Sequence, residues 1–200
     1  MKKNILICGD SFAADWCVKY PGAQGWPNRL AQEYTVNNLA QAGCSEYKIF
    51  KQLTSVNLDQ YDWVIVSHTS PYRIPITKHP IHFHDPLHKN SDLIYADIKE
   101  HSKDFPDLIA IVNYFEKYFD TEYANFMHNL ICQQINQLLI NSGIPYINLV
   151  HINWDNLYMF SNLLNFEKLF NTQQGSVANH YNQVGNQTVF LEIKKHIETQ

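Results

Sequence analysis

The chain has 200 residues, 45% of them hydrophobic and 17% charged, with a formal net charge of -4. Such a composition is typical of a globular protein that can bury a core, and we expect one domain over residues 1–200. No block of basic residues supports binding to nucleic acid or to an anionic membrane. The apolar run after Met1-Lys2-Lys3 is too short for a signal peptide or a membrane span, so we expect a cytoplasmic location.

Short apolar runs alternate with helical patterns in the first third of the chain. Strands are predicted over residues 5–8, 34–39 and 63–67, and helices from residue 26 and over residues 45–53. The turn Gly9-Asp10-Ser11 ends the first strand, and residues 12–16 can open a helix after it. This alternation predicts a parallel sheet with helices on both faces.

The middle of the chain breaks this rhythm. Residues from Pro71 to about Pro106 are rich in Pro, His, Asp and Asn and lack a long apolar period, which is typical of a cap or a mobile loop. We therefore expect an insertion over about residues 71–120, after the third strand. It contains five potential metal ligands: His79, His82, His84, Asp85 and His88. No cysteine joins these residues, and they lack the His-Glu-x-x-His spacing. We therefore expect them to contact a polar substrate rather than a metal ion, and no cofactor is expected.

Regular structure returns in the second half. Helices are predicted over residues 108–118, 122–139 and 183–197, and a strand over residues 144–150, whereas residues 155–170 give no clear assignment. The long helix is expected to bury Phe126, Leu130, Ile131, Ile135, Leu138 and Leu139, and the last helix to carry Val184, Phe190, Leu191 and Ile197. The chain is thus predicted to form a three-layer α/β/α fold with a flavodoxin-like parallel sheet of four to five strands.

Candidate site residues follow the carboxyl ends of the predicted strands, where open parallel sheets bind ligands. Ser11 follows the first strand, Gly43 the second and His68-Thr69-Ser70 the third, while His180 precedes the last helix. A serine at such a turn can act as a nucleophile beside amides that receive an anion. Plainer roles stay open: Ser11 could cap a helix, Gly43 could serve a turn, and His180 could lie on the surface.

The order of these residues resembles that of the SGNH (GDSL-type) hydrolase family. Gly9-Asp10-Ser11 is similar to its nucleophile motif, and Gly25-Trp26-Pro27 to the helix start that often comes next. Residues 38–43 are similar to its second block, whose glycine amide helps to form the oxyanion hole. Asn179-His180-Tyr181-Asn182 is similar to the last block, which carries the catalytic histidine. The resemblance covers the first seventy and the last twenty-five residues.

Two positions depart from the family pattern. Where the family has Gly-x-Asn-Asp, this chain has Ser67-His68-Thr69-Ser70, so Ser70 or Thr69 stands in place of an asparagine that donates to the oxyanion. The acid that orients the histidine is expected three residues before it, where this chain has Val177. Another group would then have to fix the tautomer of His180.

The resemblance implies a serine esterase or acyl hydrolase, or an O-acyltransferase, that acts on a small acyl ester, including one carried by a carbohydrate. Ser11 would be the nucleophile and His180 the general base, and the oxyanion hole would comprise Ser11, Gly43 and Ser70 or Thr69. Substrate contacts are expected from Asp10, His68 and Arg73, with a supporting role preferred for Asp10. One alternative is a family member without turnover that binds a glycan or a protein partner. The other is a phosphate- or nucleotide-binding protein, which ranks last because no Gly-x-Gly-x-x-Gly or phosphate-loop sequence is present. No cofactor is implied, and the oligomeric state is left open.

Overall fold

The computed structural model describes residues 2–154, 158–175 and 178–199. The strands are β1 (Asn4–Gly9), β2 (Thr35–Asn38), β3 (Trp63–Ser67), β4 (Arg73–Ile74), β5 (Leu93–Ile94), β6 (Tyr146–Val150) and β7 (Leu163–Asn165). The helices are α1 (Trp26–Glu33), α2 (Glu46–Thr54), α3 (Tyr95–His101), α4 (Ile109–Lys117), α5 (Thr121–Ser142), α6 (Glu167–Thr172) and α7 (Gln183–Thr199). Within the described ranges, no helix is both long and apolar enough to cross a membrane.

Five strands form one parallel sheet in the order β2-β1-β3-β6-β7. If only the strands of this sheet are numbered along the chain, β6 is the fourth and β7 the fifth. The order is then 2-1-3-4-5, which is the flavodoxin-like order. The register pairs Gly9 with Ser67, so the loops after β1 and β3 leave the sheet side by side. The predicted parallel sheet of four to five strands is confirmed. Its fifth strand, β7, lies in the stretch that the sequence left unassigned, and residues 155–157 of that stretch are outside the described ranges.

Successive side chains of β1 point to opposite faces of the sheet and build two separate cores. Ile5 and Ile7 pack in a cluster with residues of α1 and α7, including Trp26 and Ile193. Leu6 and Cys8 pack in a second cluster with residues of α2 and α5. Helices therefore cover both faces of the sheet, and the three-layer α/β/α architecture is confirmed.

The loop after β1 does not open the predicted helix. The amides of Ala13 and Ala14 both donate to the Asp10 carbonyl, which closes a tight turn instead. Only a short 3₁₀ turn follows at Trp16–Val18, where the Asp15 side chain accepts from the Cys17 amide. The chain after Ser11 is therefore held by turns, and the prediction of a helix over residues 12–16 is wrong.

The buried face of α5 is more polar than its sequence suggested. Ile135 and Leu139 are buried as predicted, but Phe126 is 60% and Leu130 39% exposed. The buried positions instead include three polar or weakly polar residues: His128, Cys132 and Asn136. The buried face of α7 also differs from the predicted one. This helix buries Val189, Phe190, Ile193 and Ile197, whereas Val184 and Leu191 are exposed.

The segment between β3 and α5 has its own order rather than a long irregular loop. Strands β4 and β5 form an antiparallel ribbon, and Leu93, Ile98 and Leu108 are buried in a small apolar cluster. Asp92 anchors the ribbon, because its carboxylate accepts from the Ser45 amide at 2.8 Å and lies 2.7 Å from Lys48 Nζ. The helical and loop insertion expected after the third strand is present, and the ribbon β4-β5 and helix α3 are the regular structure that the pattern of residues 71–106 did not indicate.

Candidate active site

The buried Asp10 carboxylate stabilises the turn after β1 through hydrogen bonds. Asp10 is fully buried, and its oxygens accept from the Phe12 amide at 3.0 Å, from Thr69 Oγ1 at 2.9 Å and from Arg73 Nη2 at 3.0 Å. The Arg73 charge offsets that of the carboxylate, so the buried anion is paired. This network fixes the backbone that presents Ser11, which is half-buried at the tip of the turn.

The Ser11 backbone is also held from outside the turn. Its carbonyl accepts from Trp16 Nε1 at 2.8 Å and from Asn179 Nδ2 at 3.3 Å. Asn179 Nδ2 also donates to the Ala14 carbonyl at 3.0 Å. One amide side chain from the far end of the chain therefore joins the Ser11 loop to the segment that carries His180.

His180 lies in a left-handed turn. Ala178, Asn179 and His180 have φ values of 53°, 60° and 62°, in a region that residues other than glycine rarely adopt. The turn is fixed by Asn186 Nδ2, which donates to the Ala178 carbonyl at 2.9 Å, and by the Gly175 amide, which donates to the His180 carbonyl at 2.9 Å. Such backbone strain is concentrated at functional sites in proteins.

The His180 ring packs against residues that flank Ser11. Its centroid is 4.7 Å from that of Phe12 and 5.6 Å from that of Trp16. His180 therefore lies beside the turn that carries Ser11, on the rim of the sheet. Among the described residues, however, no hydrogen bond joins Ser11 Oγ to His180.

Burial lowers the pKa of His180. The Asp10 charge opposes this shift, whereas the charges of Arg73 and His88 add to it. Burial thus favours the neutral ring, which is the form that a general base needs. No carboxylate in the described part of the chain bonds to His180, and Val177, at the position of the family's acid, lies outside it.

Gly43 occupies a position that only glycine fits. Its φ is 77°, and a Cβ there would lie 2.5 Å from Ser91 Cβ. The Asp92 amide donates to the Gly43 carbonyl at 3.0 Å, which ties this loop to the ribbon. Within the described ranges, neither the Gly43 amide nor the Ser11 amide has a hydrogen-bond acceptor. Two N–H groups at the rim are thus unpaired.

The residues after β3 are mostly engaged in the interior. Thr69 is fully buried; its hydroxyl donates to Asp10, and its amide donates to Glu46 Oε2 at 3.1 Å. The Thr69 carbonyl lies 2.7 Å from His128 Nε2. Ser70, next in the chain, is half-buried and borders a cavity, so it is the more accessible of the two predicted oxyanion donors.

His68 does not reach the rim. It is fully buried, with Nδ1 2.7 Å from Glu46 Oε1, Nε2 2.9 Å from Asn148 Oδ1, and its ring stacked on Phe160. Asn148 Nδ2 donates to the Ser161 carbonyl, so both nitrogens of His68 face acceptors. The expectation that His68 contacts substrate is wrong, because the side chain has no exposed surface.

Glu46 is a residue of this network that the sequence analysis missed. Burial alone would favour its neutral form, but His68 and His128 together lower its pKa below the usual range. Its carboxylate thus links the end of β3 to α2 and α5. A glutamate in the first turn of a helix is common, so no sequence signal marked it.

A cavity of about 460 Å³ lies beside Ser70 and Arg73. Aromatic and apolar side chains of α4 and α5 form much of its wall, including Tyr114, Met127 and Ile131. Arg73 borders this cavity and also bonds to the turn that carries Ser11, because Nη2 donates to Asp10 Oδ2 at 3.0 Å while Nη1 donates to the Cys44 carbonyl at 2.9 Å. Of the other predicted site residues, Ser11, Gly43, Ser70, Arg73 and His180 lie toward this rim, whereas Asp10 and Thr69 are fully buried, so Asp10 has the supporting role and not a substrate contact.

No protein-family model and no curated protein matches this chain. Several solved structures are similar to it, and two of them are described here. One is assigned to the G-D-S-L lipolytic family, from Desulfitobacterium hafniense DCB-2, at 13% identity and a TM-score of 0.40, over 97% of this chain and 99% of that one. The other is an acetyl xylan esterase, AlAXEase, at 13% identity and a TM-score of 0.38, over 96% and 98% of the two chains. Likeness at this level says nothing about activity, and the fold class rests on the sheet itself.

Proposed function

We propose that this protein is a serine esterase or O-acyltransferase that acts on an acyl ester, with Ser11 as nucleophile and His180 as general base. The observation that supports this most is the packing of the His180 ring beside the turn of Ser11, where the amides of Ser11 and Gly43 have no hydrogen-bond acceptor among the described residues. Amides in that position can bind the oxyanion that forms when a serine attacks an ester. The sequence resemblance described above points to the same residues.

In the proposed reaction, Ser11 Oγ attacks the acyl carbonyl and its proton passes to His180. The amides of Ser11 and Gly43 stabilise the tetrahedral oxyanion, and the Ser70 hydroxyl is the third donor. His180 then protonates the leaving alcohol. Water or an acceptor alcohol attacks the acyl-enzyme, gives its proton to His180, and releases Ser11.

Among the described residues no carboxylate bonds to His180, and this sets an expectation for the rate. In triad enzymes, replacing the acid by its amide lowers kcat by about 10⁴. Here the left-handed turn and the packing on Phe12 and Trp16 would restrict the ring instead. We expect measurable but slow turnover.

The position of the cavity suggests which part of the substrate it would hold. A general acid must face the leaving alcohol, so the leaving group belongs on the side of His180. The cavity beside Ser70 is lined by α4 and α5 and not by His180, so the acyl group would occupy it. Its largely apolar wall favours an acyl chain of several carbons over a charged group.

The test is hydrolysis of p-nitrophenyl acetate, butyrate and octanoate by the wild type, Ser11→Ala and His180→Gln. We expect each variant to reduce kcat/KM at least a hundredfold, while a control variant of an exposed helix-cap serine, Ser55→Ala, keeps the wild-type value. Hydrolysis by Ser11→Ala at the wild-type rate would exclude this nucleophile.

A second function is a binding protein without turnover for a glycan or a protein. It is favoured by the missing contact between Ser11 Oγ and His180 in the described structure. Catalytic hydrogen bonds are often long without substrate, so this observation alone does not decide. Saccharide binding by a wild type that hydrolyses none of the three esters would select the second function.

A further inference from the structure

Two histidines and an aspartate converge in the segment between β3 and α5, outside the proposed active site. His79 and His82 lie three residues apart in a turn, and Asp97 lies on α3. One ligand atom from each of the three lies within 4.8 Å of the others. Two imidazoles and one carboxylate are a common ligand set for divalent transition metals.

The distances within this cluster fit a bound ion. Asp97 Oδ1 lies 3.0 Å from His82 Nε2, and Asp97 Oδ2 lies 3.6 Å from His79 Nε2. Ligands about 2.0–2.1 Å from a tetrahedral ion are separated from each other by about 3.4 Å. Small side-chain movements would therefore bring all three ligand atoms onto one ion, with a fourth position open to water.

His79 provides an independent indication. Its side chain is fully buried, yet Nε2 has no hydrogen-bond partner among the described residues. A buried polar atom is seldom left unpaired in a native protein, and a bound metal ion would pair this one. This nitrogen faces the Asp97 carboxylate, where the ion would lie.

The tautomers of the two histidines must change on binding. His79 Nδ1 lies 3.2 Å from the amides of Ile81 and His82, so in the ion-free form the proton is on Nε2. Binding moves that proton to Nδ1 by exchange with water, and Nε2 of His82, which faces Asp97, must likewise carry no proton when it binds the ion. The two contacts to Nδ1 are long and weak, and the metal–nitrogen bond replaces them.

His101 supports the carboxylate rather than completing the ligand set. It lies four residues after Asp97 on α3, and its Nδ1 lies 2.9 Å from the Asp97 carbonyl and 3.4 Å from Asp97 Oδ1. Carboxylates that bind metals are usually hydrogen-bonded by an outer partner, and His101 is close enough to Asp97 Oδ1 to take that role if its Nδ1 turns from the carbonyl to the carboxylate. No metal was expected from the sequence because no cysteine and no His-Glu-x-x-His spacing accompany the histidines, whereas Asp97 lies fifteen residues after His82 and meets it only in the fold.

We propose that His79, His82 and Asp97 bind one divalent transition-metal ion, for which zinc is the probe, and that His101 orients Asp97. Two imidazole ligands exclude a preference for Mg²⁺ or Ca²⁺, which bind oxygen ligands. The ion would link the turn to α3 and stabilise the segment that carries Arg73.

The test is calorimetric titration of the full-length, untagged, chelator-treated protein with ZnCl₂, with MgCl₂ as the comparison. We expect one zinc per chain and no magnesium binding. His82→Gln and Asp97→Asn should each weaken zinc binding at least a hundredfold, and His101→Gln about ten- to hundredfold. The control is His84→Gln, because His84 is exposed in the same turn and should not affect affinity.

A measurement on the wild type alone tests the proposal even where a variant fails to fold. Co²⁺ in a tetrahedral site of two imidazoles and a carboxylate should give intense visible absorption that one equivalent of Zn²⁺ removes. The proposal is overturned if the wild type binds no zinc, if Co²⁺ gives only the weak spectrum of the hydrated ion, or if folded His82→Gln and Asp97→Asn bind zinc like the wild type.

Discussion

Lowering the pH from 7 to 5 should destabilise this protein through the burial of His151. The ring is fully buried at the end of β6, stacked on Phe12 at 4.6 Å and Phe166 at 5.7 Å, with Nδ1 2.8 Å from Tyr181 Oη. Burial lowers the pKa of His151 to about 3, and the positive charges of His180 and His68 in their protonated forms add to this shift. The folded protein thus keeps this ring neutral where an unfolded chain would protonate it.

The sign and size of the effect follow from proton linkage. Between about pH 3 and pH 6.5 the unfolded chain binds more protons at this position than the folded one, so stability rises with pH and falls on acidification. Above pH 6.5 both states are neutral and the position contributes nothing. At pH 5 the loss of stability from His151 alone is about 2 kcal/mol.

The assay is urea unfolding of the wild type, His151→Asn and His151→Phe at pH 7 and pH 5. Asparagine keeps a polar partner for Tyr181, and phenylalanine keeps the stacking, but neither titrates. Both variants should be less stable at pH 7, yet lose about 2 kcal/mol less than the wild type between the two pH values. The control His84→Asn changes an exposed side chain and should behave like the wild type. Equal pH dependence in all four proteins would refute the reasoning.

Three further predictions concern the site. Gly25→Ala should lower the free energy of unfolding by about 1–3 kcal/mol in urea titrations, because the added methyl would lie 1.6 Å from Asn179 Oδ1; an unchanged value would contradict the packing. The acid limb of kcat/KM against pH should have its midpoint below pH 6.5, since burial lowers the pKa of His180, and a midpoint at or above 6.5 would exclude that ring as the base. Ala124→Trp should fill the cavity and reduce kcat/KM for the octanoate ester at least tenfold while leaving kcat/KM for the acetate ester unchanged. An equal reduction of kcat/KM for both esters would show that the acyl chain does not bind in the cavity.

Much of the fold could be predicted from hydrophobic pattern. The apolar runs of β1, β3 and β6 are fully or nearly fully buried, as central parallel strands are, and the intervening helical patterns set the topology. β7 was missed because its three residues are half-buried or exposed. The face of α5 was misjudged because His128 is buried against Thr69, fifty-nine residues away, and pattern alone cannot show such a partner.

The candidate site could be predicted only in part. Turn chemistry indicated Ser11 and Gly43, and the structure adds a physical reason for the glycine. The network around Glu46 and the link made by Asn179 depend on contacts across the whole chain. Such contacts leave no local signature, so the sequence could not reveal them.

Labelling with a fluorophosphonate probe tests the central claim most directly, because the probe reacts only with an activated serine. We expect one adduct per chain, located on Ser11 by peptide mass spectrometry, absent from Ser11→Ala and formed at least tenfold more slowly in His180→Gln. No adduct on the wild type, or an adduct that persists in Ser11→Ala, would contradict the assignment of Ser11 as the nucleophile.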